Sequence, residues 1–186
     1  MISVGVADIS KVQNIDVIVN AANGIGVLGR GVAGALSRAG GEILSQAARA
    51  HCVEFGPYEA GTFYCTDAGL LKRRGVKMIY HAVTMKFPGG LTSLDSVLSA
   101  LRGVLTESKK NGVKSIAIPG LGTGIGRLDR VQVAQQMAEV IEPFAKDMDI
   151  YVIDMNQEFI DAFRESLKTK SEDYGTASIP TDTNPQ

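Results

Sequence analysis

Two amides and a run of glycines carry the clearest chemistry in this chain. Residues 16–41 read DVIVNAANGIGVLGRGVAGALSRAGG. The apolar run Val17-Ile18-Val19 reads as a buried strand and ends in Asn20-Ala-Ala-Asn23. Gly24, Gly26, Gly29 and Gly31 follow, and then a helical run from Val32. Strand, glycine-rich loop and helix N-terminus, in that order, make an anion site. Glycine permits close backbone approach and positive φ, while free N–H groups and the helix dipole favour phosphate. Asn20 and Asn23 add neutral donors and acceptors, which suit sugar hydroxyls. The combination points to a sugar phosphate or a nucleotide.

A second loop, Gly120-Leu-Gly-Thr-Gly-Ile-Gly126, follows an apolar run ending at Pro119 and repeats this logic. The N–H groups of Thr123, Gly124 and Ile125 could close on a phosphate from the opposite side. Other reactive groups are sparse. His81 lies in an apolar run and reads as a core residue, Cys52 and Cys65 have no activating neighbour, and Glu59 reads as solvated. No His and Cys spacing matches a zinc site, so no metal is expected.

The elements that must position these residues alternate in type. Strands are expected at about 2–6, 16–20, 61–66, 77–84, 114–119 and 149–154, and helices at about 30–50, 93–111, 129–146 and 156–168. Ser115-Ile-Ala-Ile and Ile150-Tyr-Val-Ile lack polar alternation, as interior strands covered on both faces do. Leu94, Val97, Leu98, Leu101 and Leu105 form one apolar helix stripe, and Val133, Met137, Val140 and Ile141 another. This alternation predicts a three-layer α/β/α domain over residues 1–168. Residues 169–186, polar with two prolines, read as a flexible tail with nothing apolar enough to dock firmly.

At 186 residues and a formal charge of −1, the chain fits one domain and disfavours general nucleic-acid binding. The basic run Lys72-Arg73-Arg74 reads as a solvated turn beside Gly75. No signal-peptide pattern and no apolar run near the ~20 residues of a membrane span is present, so a cytoplasmic setting without membrane contact is expected.

The ordered set Ala7-Asp8-Ile9, Asn20-Ala-Ala-Asn23, Gly31-Val-Ala-Gly-Ala-Leu36, Tyr80-His-Ala-Val83, Ser115-Ile-Ala-Ile-Pro119 and Gly122-Thr-Gly-Ile-Gly126 resembles the macrodomain family. That resemblance implies a mixed, mainly parallel six-stranded sheet and ADP-ribose, free or attached to a protein, as ligand, with no cofactor. It implies adenine at Asp8 and Ile9, and diphosphate between Gly29, Arg30, Gly31 and Val32 on one side and Gly122, Thr123, Gly124, Ile125 and Gly126 on the other. It further implies distal ribose at Asn23, which in hydrolytic members orients the sugar for attack, with Asn20 bracing the loop. This chain departs from hydrolytic members in two places. Gly29-Arg30-Gly31-Val32-Ala33 stands where many have Gly-Gly-Gly-Val-Asp, and Gly126-Arg127-Leu128 stands where an aromatic often follows Gly-Ile. Ile153 or Met155 takes the place of the aromatic beside adenine. The resemblance implies substrate-assisted hydrolysis of an ADP-ribosyl linkage, on a protein side chain or in O-acetyl-ADP-ribose. The alternatives are a reader without turnover and a phosphatase acting on ADP-ribose 1″-phosphate, with Arg30 or Arg127 on the terminal phosphate.

Overall fold

In a computed structural model, which describes residues 1–168 and 178–181, six strands form one sheet. They are β1 (Ile2–Val6), β2 (Val17–Asn23), β3 (Phe63–Asp67), β4 (Met78–Met85), β5 (Ser115–Ile118) and β6 (Asp149–Asp154), in the order β1-β6-β5-β2-β4-β3. Every neighbouring pair is parallel except β3–β4, which is antiparallel. The mixed, mainly parallel sheet is therefore as expected, and β2 runs on through Asn23 instead of ending near residue 20.

Helices α3 (Leu94–Lys110), α4 (Arg130–Ile141) and α5 (Gln157–Lys168) cover one face. The apolar stripes of α3 and α4 meet Val17, Val19, Ile116, Ile118, Ile150 and Val152 there. The opposite face carries α1 (Gly31–Gly40), α2 (Glu42–Phe55) and two 3-10 turns, Ile9–Lys11 and Gly69–Arg74, packed on Ile18, Ile79, Ala117 and Ile153. Alternate residues of one strand thus enter different cores, and for that reason the strands show no polar alternation. Side-chain oxygens cap the helix starts, Ser93 accepting from the Ser96 N–H at 3.1 Å and Asp129 from the Gln132 N–H at 2.8 Å.

Three sequence expectations gain detail. The helix expected over 30–50 is two helices, because Gly41 adopts φ 75 between them. Lys72-Arg73-Arg74 closes the Gly69–Arg74 3-10 turn with Lys72 and Arg73 exposed, as a solvated turn would have them, and Arg74 half-buried. Lys72 pairs with Asp67, and the Arg74 guanidinium donates to the Ser10 carbonyl at 2.9 Å. Of the tail expected over 169–186, residues 169–177 and 182–186 lie outside the described residues. Ser178 to Thr181 lie against the fold: the Gln13 N–H donates to the Pro180 carbonyl at 2.9 Å, Thr181 bridges Val12, and Ile179 packs, partly buried, against the core cluster that holds Ile9 and Ile153. Nothing in its composition announced that a single isoleucine would find a notch, and the notch is Gly5. A Cβ there would lie 2.3 Å from the Ile179 Cδ1.

Asn20 and His81 form the polar centre of the sheet. His81 is fully buried, with its Nδ1 3.1 Å from the Asn20 amide nitrogen and its Nε2 2.8 Å from the Thr66 hydroxyl. The Asn20 amide is a donor, so Nδ1 is the unprotonated acceptor and the ring is neutral. Asn20 therefore braces β4 and not the loop. Burial pushes the His81 pKa down to about 3.

Two outcomes follow from these contacts. Between pH 6.5 and 3 the unfolded chain takes up a proton that folded His81 refuses. Its contribution is fully present above the unfolded value and is lost as pH falls, with a slope approaching ~1.4 kcal/mol per pH unit. Denaturant titrations at pH 4–8 should give a shallower acid limb for His81→Gln than for the wild type. Gly5→Val should cost about 1–3 kcal/mol by expelling Ile179. In thermal melts, Ile179→Ala in the same chain should recover part of that loss.

Candidate functional site

The parallel strands point their carboxyl ends to one edge of the sheet, where open α/β sheets hold ligands. A cleft of about 380 Å³ opens there. Its floor is Ala21, Ala22 and Asn23 from the end of β2, with Thr84 and Met85 from β4. Its walls are the loop from Gly24 into α1 and the loop from Gly120 to Leu128.

The first loop is braced by Asn23. Its Oδ1 accepts the Ile25 and Val27 N–H groups, each at 3.2 Å, and its Nδ2 donates to the Val27 carbonyl at 2.8 Å. One Nδ2 hydrogen remains for the cleft. Gly24 packs so closely that a Cβ would sit 1.9 Å from the Tyr58 carbonyl oxygen, and its N–H reaches the Lys86 carbonyl at 2.9 Å. Gly31, at φ +58, then turns the chain into α1, whose N-cap Arg30 makes no capping bond with its side chain. The N–H groups of Gly31, Val32 and Ala33 have no acceptor among the described residues.

The second loop mirrors this. The Leu128 N–H bonds the Gly122 carbonyl at 3.0 Å, the Arg127 N–H bonds the Gly124 carbonyl at 3.1 Å, and Arg127 adopts φ 54. The N–H groups of Thr123, Gly124, Ile125 and Gly126 are left without acceptors among the described residues. Two sets of free amide donors thus border one cleft, one of them at a helix N-terminus. Unpaired amides and a helix N-terminus suit an anion.

Of the residues expected from sequence, Asn23, Gly29, Arg30, Gly31, Val32, Gly122, Gly124, Ile125 and Gly126 line the cleft. Thr123 does not, because its hydroxyl turns inward to the Gly120 carbonyl at 3.4 Å. Asp8 and Ile9 also lie outside it. Ile9 is buried in the core, and Asp8 caps the 3-10 turn by accepting the Ser10 N–H at 2.9 Å and hydroxyl at 2.7 Å on Oδ1. Asp8 Oδ2 has no partner among the described residues. Asp8 follows β1 on the same sheet edge, so it extends the line of the cleft past β6. Ile153 is buried in the core, whereas Met155, at 71% exposure, stands free at the end of β6.

Sequence reasoning missed the third wall. Pro88 and Gly89, in the loop after β4, complete the lining of the cleft. The Pro88-Gly-Gly run behind an apolar strand was the available signal. Arg30 is the one titratable side chain among the lining residues, and Ala33 lines the cleft where a carboxylate would otherwise face it. No group of three or more His, Cys, Asp or Glu suited to a metal occurs among the described residues, and none of their helices is long and apolar enough to cross a membrane.

A mixed α/β sheet with an amide-lined cleft at its carboxyl edge defines a binding domain for an anionic nucleotide or sugar phosphate. Residues 19–137 match the family described as Macro domain, and the chain belongs to that family. An uncharacterized protein of Aquifex aeolicus is 37% identical over 154 residues, covering 82% of this chain and 89% of its own. A Salmonella newport protein named O-acetyl-ADP-ribose deacetylase is 29% identical, covering 89% and 93%. Among solved structures, a mutant Oceanobacillus iheyensis macrodomain with ADPR superposes at a TM-score of 0.77 and 25% identity, covering 90% of this chain and 91% of that one.

The glycines of the cleft separate into two classes. A Cβ on Gly124 meets nothing within 4 Å, whereas one on Gly24 collides with backbone. Gly124→Val should therefore fold with a melting temperature near wild type while losing affinity for an anionic ligand at least tenfold. Gly24→Val should fail to give a cooperative melt. Circular dichroism with ligand titration would check both.

Proposed function

We propose that this cleft binds ADP-ribose and that the chain hydrolyses an ADP-ribosyl linkage, on a protein side chain or in a small ester such as O-acetyl-ADP-ribose. The observation that carries the binding reading is the pair of free amide sets, Gly31 to Ala33 and Thr123 to Gly126, bordering a cleft in which Arg30 is the one charged lining side chain. Family membership supports it, as does the solved neighbour that holds ADPR. In this reading the diphosphate lies between the loops and the distal ribose lies over Ala21 and Ala22 beside Asn23. Adenine extends past the lining residues to Asp8, whose Oδ2 has no partner among the described residues and accepts the exocyclic amine.

The name of the Salmonella relative supports turnover. No carboxylate lines the cleft, so the base must come with the substrate. A phosphate oxygen of the bound ligand orients and deprotonates water, and the remaining Asn23 amide hydrogen holds a ribose hydroxyl. Loop amides stabilise the charge that develops. Without a positioned protein base, the rate forgoes a factor on the order of 10²–10⁴. The same missing carboxylate, at Ala33, favours a second reading, in which the domain recognises ADP-ribose and leaves the linkage intact.

Calorimetry should give saturable ADP-ribose binding at one site per chain. Asp8→Ala should weaken it by ~1–3 kcal/mol, about 5- to 150-fold, and the hypoxanthine counterpart should bind the wild type more weakly. Because Asn23 also braces the first loop, Asn23→Ala should lose binding and turnover together. Equal affinity for adenine and hypoxanthine ligands would remove Asp8 from the site. Stoichiometric chain that binds tightly yet leaves protein-linked ADP-ribose and O-acetyl-ADP-ribose intact would leave only the reader.

A further inference from the structure

Asp154, at the end of β6, lies outside the cleft lining, yet it is bonded to the elements on either side of it. Its Oδ2 accepts the Gly120 N–H at 3.0 Å, at the point where the second loop leaves β5. Its Oδ1 accepts the Asn156 N–H at 2.8 Å, and Asn156 in turn accepts the Phe159 N–H at 3.0 Å to start α5. Its main-chain carbonyl accepts the Ala7 N–H at 3.2 Å, one residue before Asp8. One residue therefore joins the second loop, the first turn of α5 and the Asp8 turn. Gly120 is shaped for this contact, since a Cβ there would lie 2.8 Å from the Asp154 Oδ2 and 3.2 Å from the Phe159 ring.

A carboxylate near an anion site would ordinarily repel the ligand. Here each oxygen is engaged by a backbone N–H, so the charge is spent on orienting the loop. Gly120 is the residue from which the free donors of Thr123 to Gly126 are hung. A shift of about 1 Å at that hinge would move the whole row relative to Gly31 to Ala33, and amide donors lose their bonds over such distances.

We propose that Asp154 is a positioning residue for ligand binding: its carboxylate fixes the second loop at Gly120 while its carbonyl holds the Asp8 turn, setting the two ends of the ligand site at one spacing. This rests on the reading of the cleft as an ADP-ribose site. Truncating the side chain removes the loop anchor but leaves the main-chain bond to Ala7. Asp154→Ala should therefore lower ADP-ribose affinity about tenfold or more, while adenosine affinity changes by no more than about twofold. Asparagine keeps one acceptor oxygen, so Asp154→Asn should recover most of the affinity, to within about threefold of wild type.

The test is calorimetry with ADP-ribose and with adenosine on the wild type and both variants, alongside amide NMR of Gly120. The wild-type Gly120 amide proton should be downfield and protected from exchange, retained in Asp154→Asn and lost in Asp154→Ala. A folded Asp154→Ala chain that binds ADP-ribose as the wild type does, or that loses adenosine and ADP-ribose affinity equally, overturns the proposal. If the alanine variant does not fold, Asp154→Asn decides: affinity lost by more than tenfold with the Gly120 amide still protected overturns it as well. A wild-type chain that binds no ADP-ribose removes the functional reading itself, an outcome separate from any of these.

Discussion

The cleft exists because β2 and β5 pair over only two residues, Val17 with Ile116 and Ile18 with Ala117. Beyond that point β2 keeps β4 as its partner as far as Asn23, with a register shift after Ala22, while β5 ends at Ile118. Strand twist carries the two chains apart, and no ladder closes the gap. The two loops that leave these strands therefore face each other across an opening, with their amides unpaired. The cleft between the two loops depends on that early parting.

Holding unpaired amides open requires rigid supports, and these come from buried polar groups. Beneath the floor, His81 links Asn20 on β2 to Thr66 on β3, with Tyr64 stacked on its ring at 4.4 Å. Such a network is stable only while the imidazole is neutral. The supports nearest the ligand are side-chain acceptors for backbone donors: Asn23 inside the first loop, Asp154 at the foot of the second, and Asp8 at the turn after β1. Three polar residues thus take up amides that would otherwise collapse the loops, and the remaining amides stay available.

In the proposed reading, the electrostatics are unusual for a site that receives a diphosphate. Arg30 is exposed, and the lining otherwise has no charge. The anion is met by partial charges of oriented dipoles, which lose less to reorganisation than a mobile lysine does. Such a site is consistent with the net charge of −1. A chain built to attract polyanions at long range needs a basic field, whereas a chain built to clasp one diphosphate needs only geometry.

The sequence by itself determined the elements and the chemistry of the two loops. Apolar runs without alternation marked interior strands, and glycine density at strand ends marked the two loops that line the cleft, because both signals are local. The ordered motifs extended that reading to the parallel sheet and the ligand class. Only the tertiary structure decided which oxygen takes which N–H. Asn23 proved to be a brace as well as a lining residue, Thr123 turned inward, and Pro88 and Gly89 supplied a wall from a distant loop. Asp154 meets Gly120 across 34 residues, and Ile179 fills the notch at Gly5 from the far end of the chain. None of these has a local signature, because a hydrogen bond or a filled notch between remote segments depends on where the sheet places them and not on the residues beside them.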